Sequence, residues 1–281
     1  MRQRPAALLF LAVMFFAQPG LAQTSAAELR VVVMNVGEGQ AILLRRGASG
    51  ILIDSGVAPF ADQLLRRIEA HGVTSLEYFI LTHLHPDHAG GYFRVRERFP
   101  EAVLIGNGHP LAADRQSFIV NLYDDALRAD PRRRVMRAGD QLAWRGVTLK
   151  ALWPDLVAGQ NLNRNSLVLS LIHGLSRALF IGDAGEIVER RLMERGFDPG
   201  PISLLVSGHH GMARSADANF LAHVQPRVAV ISASWKMPRY HPGDAVVARL
   251  IAASGRLLRT DEDGEICLEL AADNAVPKDC D

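Results

Sequence analysis

Thr82-His83-Leu84-His85-Pro86-Asp87-His88 crowds three histidines and one carboxylate into the six residues from His83 to His88. The apolar run Tyr78-Phe79-Ile80-Leu81 precedes it, and Gly90-Gly91 follows. Imidazole and carboxylate are the ligands zinc prefers in catalytic sites. On extended chain, residues two apart project the same way, so His83 and His85 share a side. Pro86 holds a turn that carries Asp87 and His88 round to a second position. One loop at the end of a buried strand can therefore supply half the ligands of two neighbouring metal ions. The ordinary alternative is a surface histidine cluster without a role. The strand before it and the glycines after it weigh against that.

Two later segments share the layout. Ala178-Leu179-Phe180-Ile181-Gly182-Asp183 is an apolar strand ending in Gly-Asp. Leu204-Leu205-Val206-Ser207-Gly208-His209-His210-Gly211 is an apolar strand ending in a histidine pair between glycines. A carboxylate at a buried strand end is costly unless it is paired or metal-bound. Taken alone, Asp183 reads as the N-cap of a helix starting near Ile187, and His209 and His210 as satisfied loop histidines. Three strand ends that each deliver ligand types in one chain make those separate readings a poor account.

Working outward, strand and helix patterns alternate. Leu29 to Met34 reads as a strand that stops at Asn35 and Gly37. Ala41 to Leu44 and Ile51 to Ile53 read as a hairpin. Ala61 to His71 has helical spacing, with Leu64, Leu65 and Ile68 on one face and Gly72 as the stop. Between 92 and 145 the pattern predicts a helix over 94–98, a strand over 103–105, a helix over 117–128 and a strand over 141–144. Further strands are expected over 147–152, 166–172, 178–181, 203–206, 228–231 and 264–270, with helices over 187–195 and 245–253. The first run ends near 140 and a second begins near 147, with no low-complexity linker between. This predicts one domain, 23–281, built of two αβ halves, with two sheets face to face and helices outside.

The first 22 residues read as an export signal. Arg2 and Arg4 form a positive start, Ala6 to Ala17 is apolar, and Gly20 and Ala22 have signal-peptidase spacing. Cleavage is expected after Ala22, placing the protein in the periplasm or outside the cell. The rival is an uncleaved anchor, but the run is short for a bilayer and a helix breaker follows it. Cleavage removes Arg2 and Arg4 and no acids, which leaves 29 basic against 30 acidic residues from the 31 and 30 of the full chain. A net charge of −1 gives no global attraction to nucleic acid or anionic lipid. The basic run that could grip a phosphate backbone is Arg132-Arg133-Arg134 with Arg137, and such runs are ordinarily solvated loops. Aromatic residues are 6% of the chain, which gives poor support to a base-stacking platform. Cys267 and Cys280 can pair in an oxidising compartment, tying the C-terminal tail to the last strand. Their spacing suits no zinc motif.

His83-x-His85-x-Asp87-His88, Gly182-Asp183 and Gly208-His209-His210-Gly211 together resemble the metallo-β-lactamase fold. Asn35-Val36-Gly37-Glu38-Gly39-Gln40-Ala41-Ile42-Leu43 resembles the opening of the hydrolase domain of DNA-uptake competence proteins of the ComEC type. So do Ile51-Leu52-Ile53-Asp54-Ser55-Gly56, Asn163-Arg164-Asn165-Ser166-Leu167-Val168-Leu169 and Arg259-Thr260-Asp261-Glu262-Asp263-Gly264. The resemblance covers about residues 29–270. It implies a four-layer αββα sandwich and two divalent metal ions, Zn²⁺ with Mn²⁺ as the alternative. His83 and His85 hold one ion, Asp87 and His88 the other, and Asp183 bridges. One of His209 and His210 completes the second ion, with His210 the favoured ligand, and its neighbour faces substrate. Asp54 orients a ligand histidine. His241, in Tyr240-His241-Pro242, contacts a phosphate or protonates a leaving group, or is an ordinary loop histidine.

Two departures from the pattern stand out. Many relatives carry a further ligand histidine where this chain has Asn161 to Ser166. Competence proteins read Gly-Gln-Gly-Asp where this chain has Gly37-Glu38-Gly39-Gln40, so the acid is displaced by two positions. The expected chemistry is hydrolysis by metal-activated water. Asp87 is essential to it, and His209, Asn165 and His241 are possible helpers. A phosphoester, small or nucleic acid, is the expected substrate. The alternatives are a lactam, lactone or phosphocholine ester, or a non-catalytic binding module. With no spans beyond the signal, any role in DNA uptake needs a separate transporter as partner.

Overall fold

The computed structural model describes residues 28–112, 116–155, 159–234, 242–271 and 274–280. Its first sheet begins with a meander of three antiparallel strands, β1 (Leu29–Val33), β2 (Ile42–Arg46) and β3 (Ser49–Ile53). Helix α1 (Ala61–Ala70) then carries the chain to β4 (Ser75–Ile80), which lies parallel to β3. Two short helices, α2 (Pro86–Ala89) and α3 (Tyr92–Arg98), lead to the parallel strand β5 (Val103–Gly106). Helix α4 (Phe118–Ala129) leads to β6 (Arg133–Val135) at the edge.

The second sheet repeats the plan. β7 (Gln141–Trp144), β8 (Val147–Trp153), β9 (Val168–His173) and β10 (Ser176–Phe180) pair antiparallel in turn. Helices α5 (Glu186–Glu194), α6 (Ala218–Val224) and α7 (Asp244–Ala253) alternate with the parallel strands β11 (Ile202–Val206), β12 (Val228–Ile231) and β13 (Arg256–Arg259). After the single turn α8 (Thr260–Asp263), β14 (Ile266–Leu270) and β15 (Ala275–Lys278) return to the first sheet, where β14 pairs with β1. The orders are β15-β14-β1-β2-β3-β4-β5-β6 and β13-β12-β11-β10-β9-β8-β7.

Strand alternation explains the layers. In register across β1, β2 and β3, Val31, Leu44 and Ile51 point into the space between the sheets. They meet Leu149, Leu169, Phe180 and Val206 of the second sheet there. Val32, Leu43 and Leu52 point the other way, under α1, α3 and α4. Leu179, Leu205 and Ala229 point outward beneath α5, α6 and α7. Strands buried on both faces are apolar almost throughout, as β11, Ile202-Ser203-Leu204-Leu205-Val206, is. The result is the expected αββα sandwich.

Three details depart from the pattern-based reading. The second sheet begins at β7, so Gln141–Trp144 belongs to the later half. The strand ending at Leu270 crosses back to the first sheet and does not close the second. The basic run forms the edge strand β6, where alternation sends Arg133 inward and Arg134 outward and so divides the run. Arg132 is ion-paired with Glu101. Cys267 and Cys280 form a disulfide, with their Cα atoms 5.4 Å apart. Residues 1–22, expected to be a signal, and His241 lie outside the described residues. Among the described residues no helix is long and apolar enough to cross a membrane.

Candidate metal centre

The carboxyl ends of the parallel strands meet along one edge of the sandwich, where strand ends of an α/β sheet leave a crevice. β3 ends in Asp54, β4 in the histidine loop, β10 in Asp183, β11 in His209 and His210, and β12 in Ser232. Cross-links hold these ends together. Thr82 O accepts Leu167 N at 3.0 Å and Asn107 Nδ2 at 3.2 Å, joining the two sheets. Gln40 N donates to Asp87 O at 3.0 Å. Gly39 passes so close to this loop that a Cβ there would lie 2.3 Å from Asp87 O. Only glycine fits at position 39.

Two groups of ligand-type side chains converge. Asp87, His88, Asp183 and His210 offer atoms within 4.8 Å of one another, and so do His83, His85 and Asp183. Asp183, 2% exposed, belongs to both. Its Oδ1 lies 3.0 Å from His88 Nε2 and 3.6 Å from His210 Nε2. Its Oδ2 lies 3.6 Å from His83 Nε2 and 3.7 Å from His209 Nε2. Asp87 Oδ2 lies 3.4 Å from His210 Nε2 and 3.9 Å from His88 Nε2. His83 Nε2 and His85 Nδ1 are 3.0 Å apart. The carboxylate of Asp183 thus straddles the two groups. It is not a helix cap: Gly185 caps α5, with no side-chain cap bond.

The ring tautomers follow from outer hydrogen bonds. His88 Nδ1 donates to Asp54 Oδ2 at 2.7 Å. His210 Nδ1 donates to Ser232 O at 3.0 Å. Thr82 Oγ1 gives its proton to Asp54 Oδ2 at 2.9 Å, so it accepts from His83 Nδ1 at 3.1 Å. In their neutral form all three rings therefore turn a bare Nε2 inward. His88 Nε2 and His210 Nε2 face each other at 3.2 Å. Asp183 Oδ1 is buried without a hydrogen bond. Lone pairs gathered this way against two carboxylates call for positive charge at the centre. Divalent cations fit that demand, and the donor set of imidazole and carboxylate suits zinc-like ions.

Without a cation, protons meet that demand at His88 and His210. Burial opposes charge on His88, but Asp183 and Asp54 outweigh it and hold the ring well above its ordinary value. Burial likewise opposes charge on His210, and Asp183 and Asp87 raise it nonetheless. Burial and then His88 push His83 well below the ordinary value, so that ring stays neutral. Burial also acts to raise Asp183 and Asp87. The imidazoles of His88 and His210 outweigh it, and both carboxyls fall below the usual range.

His209 stands at the rim. Burial lowers its pKa, and Asn163 Nδ2 lies 3.1 Å from its Nε2. His209 and His210 have positive φ, 50° and 52°. Left-handed backbone at two successive non-glycine residues costs on the order of 1–3 kcal/mol each. It turns the two rings to different sides of Asp183. Asn165 is buried, and its Nδ2 holds the loop by donating to Asn161 O at 2.8 Å and Gly159 O at 3.2 Å. The asparagine beside the histidines is Asn163, whose Oδ1 is buried without a partner. Pattern reading did not single it out, although the missing ligand histidine of Asn161–Ser166 pointed to this turn. Gln40, at the place of the displaced acid, also joins the site: its Nε2 donates to Asp54 Oδ2 at 3.0 Å.

Residues 34–235 match the family model described as the metallo-beta-lactamase superfamily. The chain is 30% identical over 264 residues to the competence protein ComA of Neisseria gonorrhoeae, covering 94% of this chain and 35% of ComA. It is 29% identical over 253 residues to recombination protein 2 of Haemophilus influenzae, covering 87% of this chain and 29% of that one. The chain thus spans about a third of the length of these relatives. Among solved structures, the metallo-beta-lactamase fold protein YhfI of Bacillus subtilis superposes with a TM-score of 0.53 at 13% identity, covering 83% of this chain and 97% of YhfI. With the sandwich, the shared carboxylate and the matched span in agreement, the chain belongs to the metallo-β-lactamase superfamily.

Proposed function

We propose that this chain is an exported metal-dependent hydrolase that cleaves phosphodiesters, with nucleic acid as the favoured substrate class. The observation that carries the reading is Asp183, one carboxylate set between two groups of inward lone pairs. His83, His85 and Asp183 would hold one divalent ion, and Asp87, His88, His210 and Asp183 the other, with zinc as the first choice and manganese as the second. When bound, such a pair supplies a water of lowered pKa and neutralises charge on the electrophile's oxygens.

The protein's own groups do the positioning. Asp54 keeps His88 in the tautomer that presents Nε2, and the carbonyl of Ser232 does the same for His210. His209, half-buried and steadied by Asn163, is placed to hydrogen-bond a substrate oxygen or hold a proton for the leaving group. His241 is a second candidate for that task. The names of the relatives, a competence protein and a recombination protein, favour DNA over a lactam. The signal-like start favours work outside the cytoplasm.

The test is a substrate panel. Purified protein with Zn²⁺ or Mn²⁺ is offered single- and double-stranded DNA, bis-p-nitrophenyl phosphate and nitrocefin. Turnover of the phosphodiesters is expected, and Asp87→Ala abolishes it. Turnover of nitrocefin alone sinks the substrate assignment, and activity that survives Asp87→Ala sinks the metal mechanism.

A further inference from the structure

A groove opens from the bridging carboxylate toward solvent. Asn161, Asn163, Arg164, Asp183, His209 and Arg214 line it. It offers about 170 Å³, against the roughly 10–15 Å³ that one water needs, so it admits a tetrahedral oxyanion with part of its hydration. Two arginines stand on its walls. Neither guanidinium has a hydrogen bond or ion pair among the described residues. Their neighbours behave otherwise: Arg195 pairs with Asp155 at 2.6 Å, and Arg190 with Glu186 at 3.6 Å. The Glu186 pairing also partly neutralises the acid on this wall.

Both arginines grow from pinned backbone. Arg164 N donates to Asn161 Oδ1 at 2.7 Å, and Trp153 Nε1 donates to Arg164 O at 2.6 Å. Arg214 O accepts Glu186 N at 2.9 Å. The two chains are so close there that a Cβ on Gly185 would lie 2.6 Å from Arg214 O. Rigid backbone under a free guanidinium reduces the ordering cost of binding. A planar fork of donors matches phosphate oxygens bidentately. The groove also shares Asp183 and His209 with the candidate metal centre, so whatever lies in it is continuous with the reacting group.

We propose that Arg164 and Arg214 form an anion subsite that takes a second, non-scissile phosphate of the substrate. The protein then prefers phosphodiesters carrying a neighbouring phosphate, as a nucleic-acid chain does, over simple diesters. This rests on the phosphodiesterase reading and narrows it.

The probes are the p-nitrophenyl phosphodiester of thymidine with and without a second phosphate on the far hydroxyl of the sugar, and the enzyme is the zinc-loaded full chain. The second phosphate is expected to raise kcat/KM by about 10- to 100-fold, the range of charge-assisted hydrogen bonds, mainly through KM. Arg164→Ala with Arg214→Ala brings the ratio near unity, while the double Lys variant keeps part of it. Equal turnover of both probes by the parent, or an unchanged ratio in the Ala variant, overturns the subsite. If neither probe is cleaved, the phosphodiesterase reading fails separately. Calorimetric binding of thymidine bisphosphate against thymidine monophosphate then decides: a preference lost in the Ala variant upholds the subsite, and equal affinities overturn it. Circular dichroism and bound metal, unchanged in the variants, separate these outcomes from misfolding.

Discussion

His88 Nδ1 lies 2.7 Å from Asp54 Oδ2, and that bond decides which nitrogen of His88 faces the centre. Asp54 also accepts Thr82 N at 2.8 Å, Thr82 Oγ1 and Gln40 Nε2. Four donors from three residues thus meet on one carboxylate that is itself fully buried. Gln40 supplies a donor at the position where competence proteins carry an acid, so no second carboxylate crowds Asp54.

Asp54→Asn keeps the shape of the side chain and loses the demand for a proton on His88 Nδ1. Metal affinity of the group containing His88 is expected to fall about 10- to 100-fold, the usual effect of removing such a partner. Competition with a chromophoric chelator measures it. Unchanged affinity would mean that the tautomer is set elsewhere.

Asp183 is shared and His85 is not. His85→Ala is therefore expected to remove one equivalent of bound metal, whereas Asp183→Ala weakens both equivalents. Elemental analysis after dialysis against buffered zinc gives the stoichiometry. Equal losses in the two variants would argue against a bridging carboxylate.

His88 and His210 are both raised above the ordinary value of 6.5 in the folded chain. In the metal-free protein, the stability this brings is full below pH 6.5. It is lost as pH rises through the raised folded values. Cations compete with those same protons, so their apparent affinity climbs with pH over that window. Asp87 and Asp183, both lowered, work in the opposite sense and lose their contribution only in acid, below the ordinary carboxyl value of 3.8. Thermal denaturation of chelator-treated protein is expected to show Tm falling as pH increases above 6.5, with zinc restoring most at the alkaline end. A metal-free Tm that climbs over this range would contradict the assignment.

The disulfide closes a loop of 13 residues between β14 and the C-terminal tail. Loops of that size are worth about 3 kcal/mol in the chain-entropy model. Cys280→Ser, which leaves the buried Cys267 in place, is expected to lower unfolding stability by about 2–3 kcal/mol in urea. Metal binding should persist, because β14 carries no ligand. Loss of bound zinc in this variant would show that the tail supports the centre.

Much of this protein is legible in its residue order. Continuous apolar runs such as Leu29–Val33 and Ile202–Val206 announced strands, and Leu64, Leu65 and Ile68 announced a helix, because burial on one or two faces leaves a local pattern. Imidazole and carboxylate at three strand ends announced a cluster, because those groups are costly at buried ends without a counter-charge. What the residue order left open depends on partners far away in the chain. The return of β14 to β1, the inward turn of Arg133, the bond from Gln40 to Asp54, and the roles of Asn163 and Asn165, two residues apart, come from long-range contacts that no local period encodes. The same holds for the two sides of Asp183. The sequence alone determined which groups could bind cations and which strands would carry them. Only the tertiary structure decided which Nε2 atoms face inward, because Asp54, which holds His88 and orients the Thr82 hydroxyl beside His83, and Ser232, which holds His210, lie on strands that folding alone brings together.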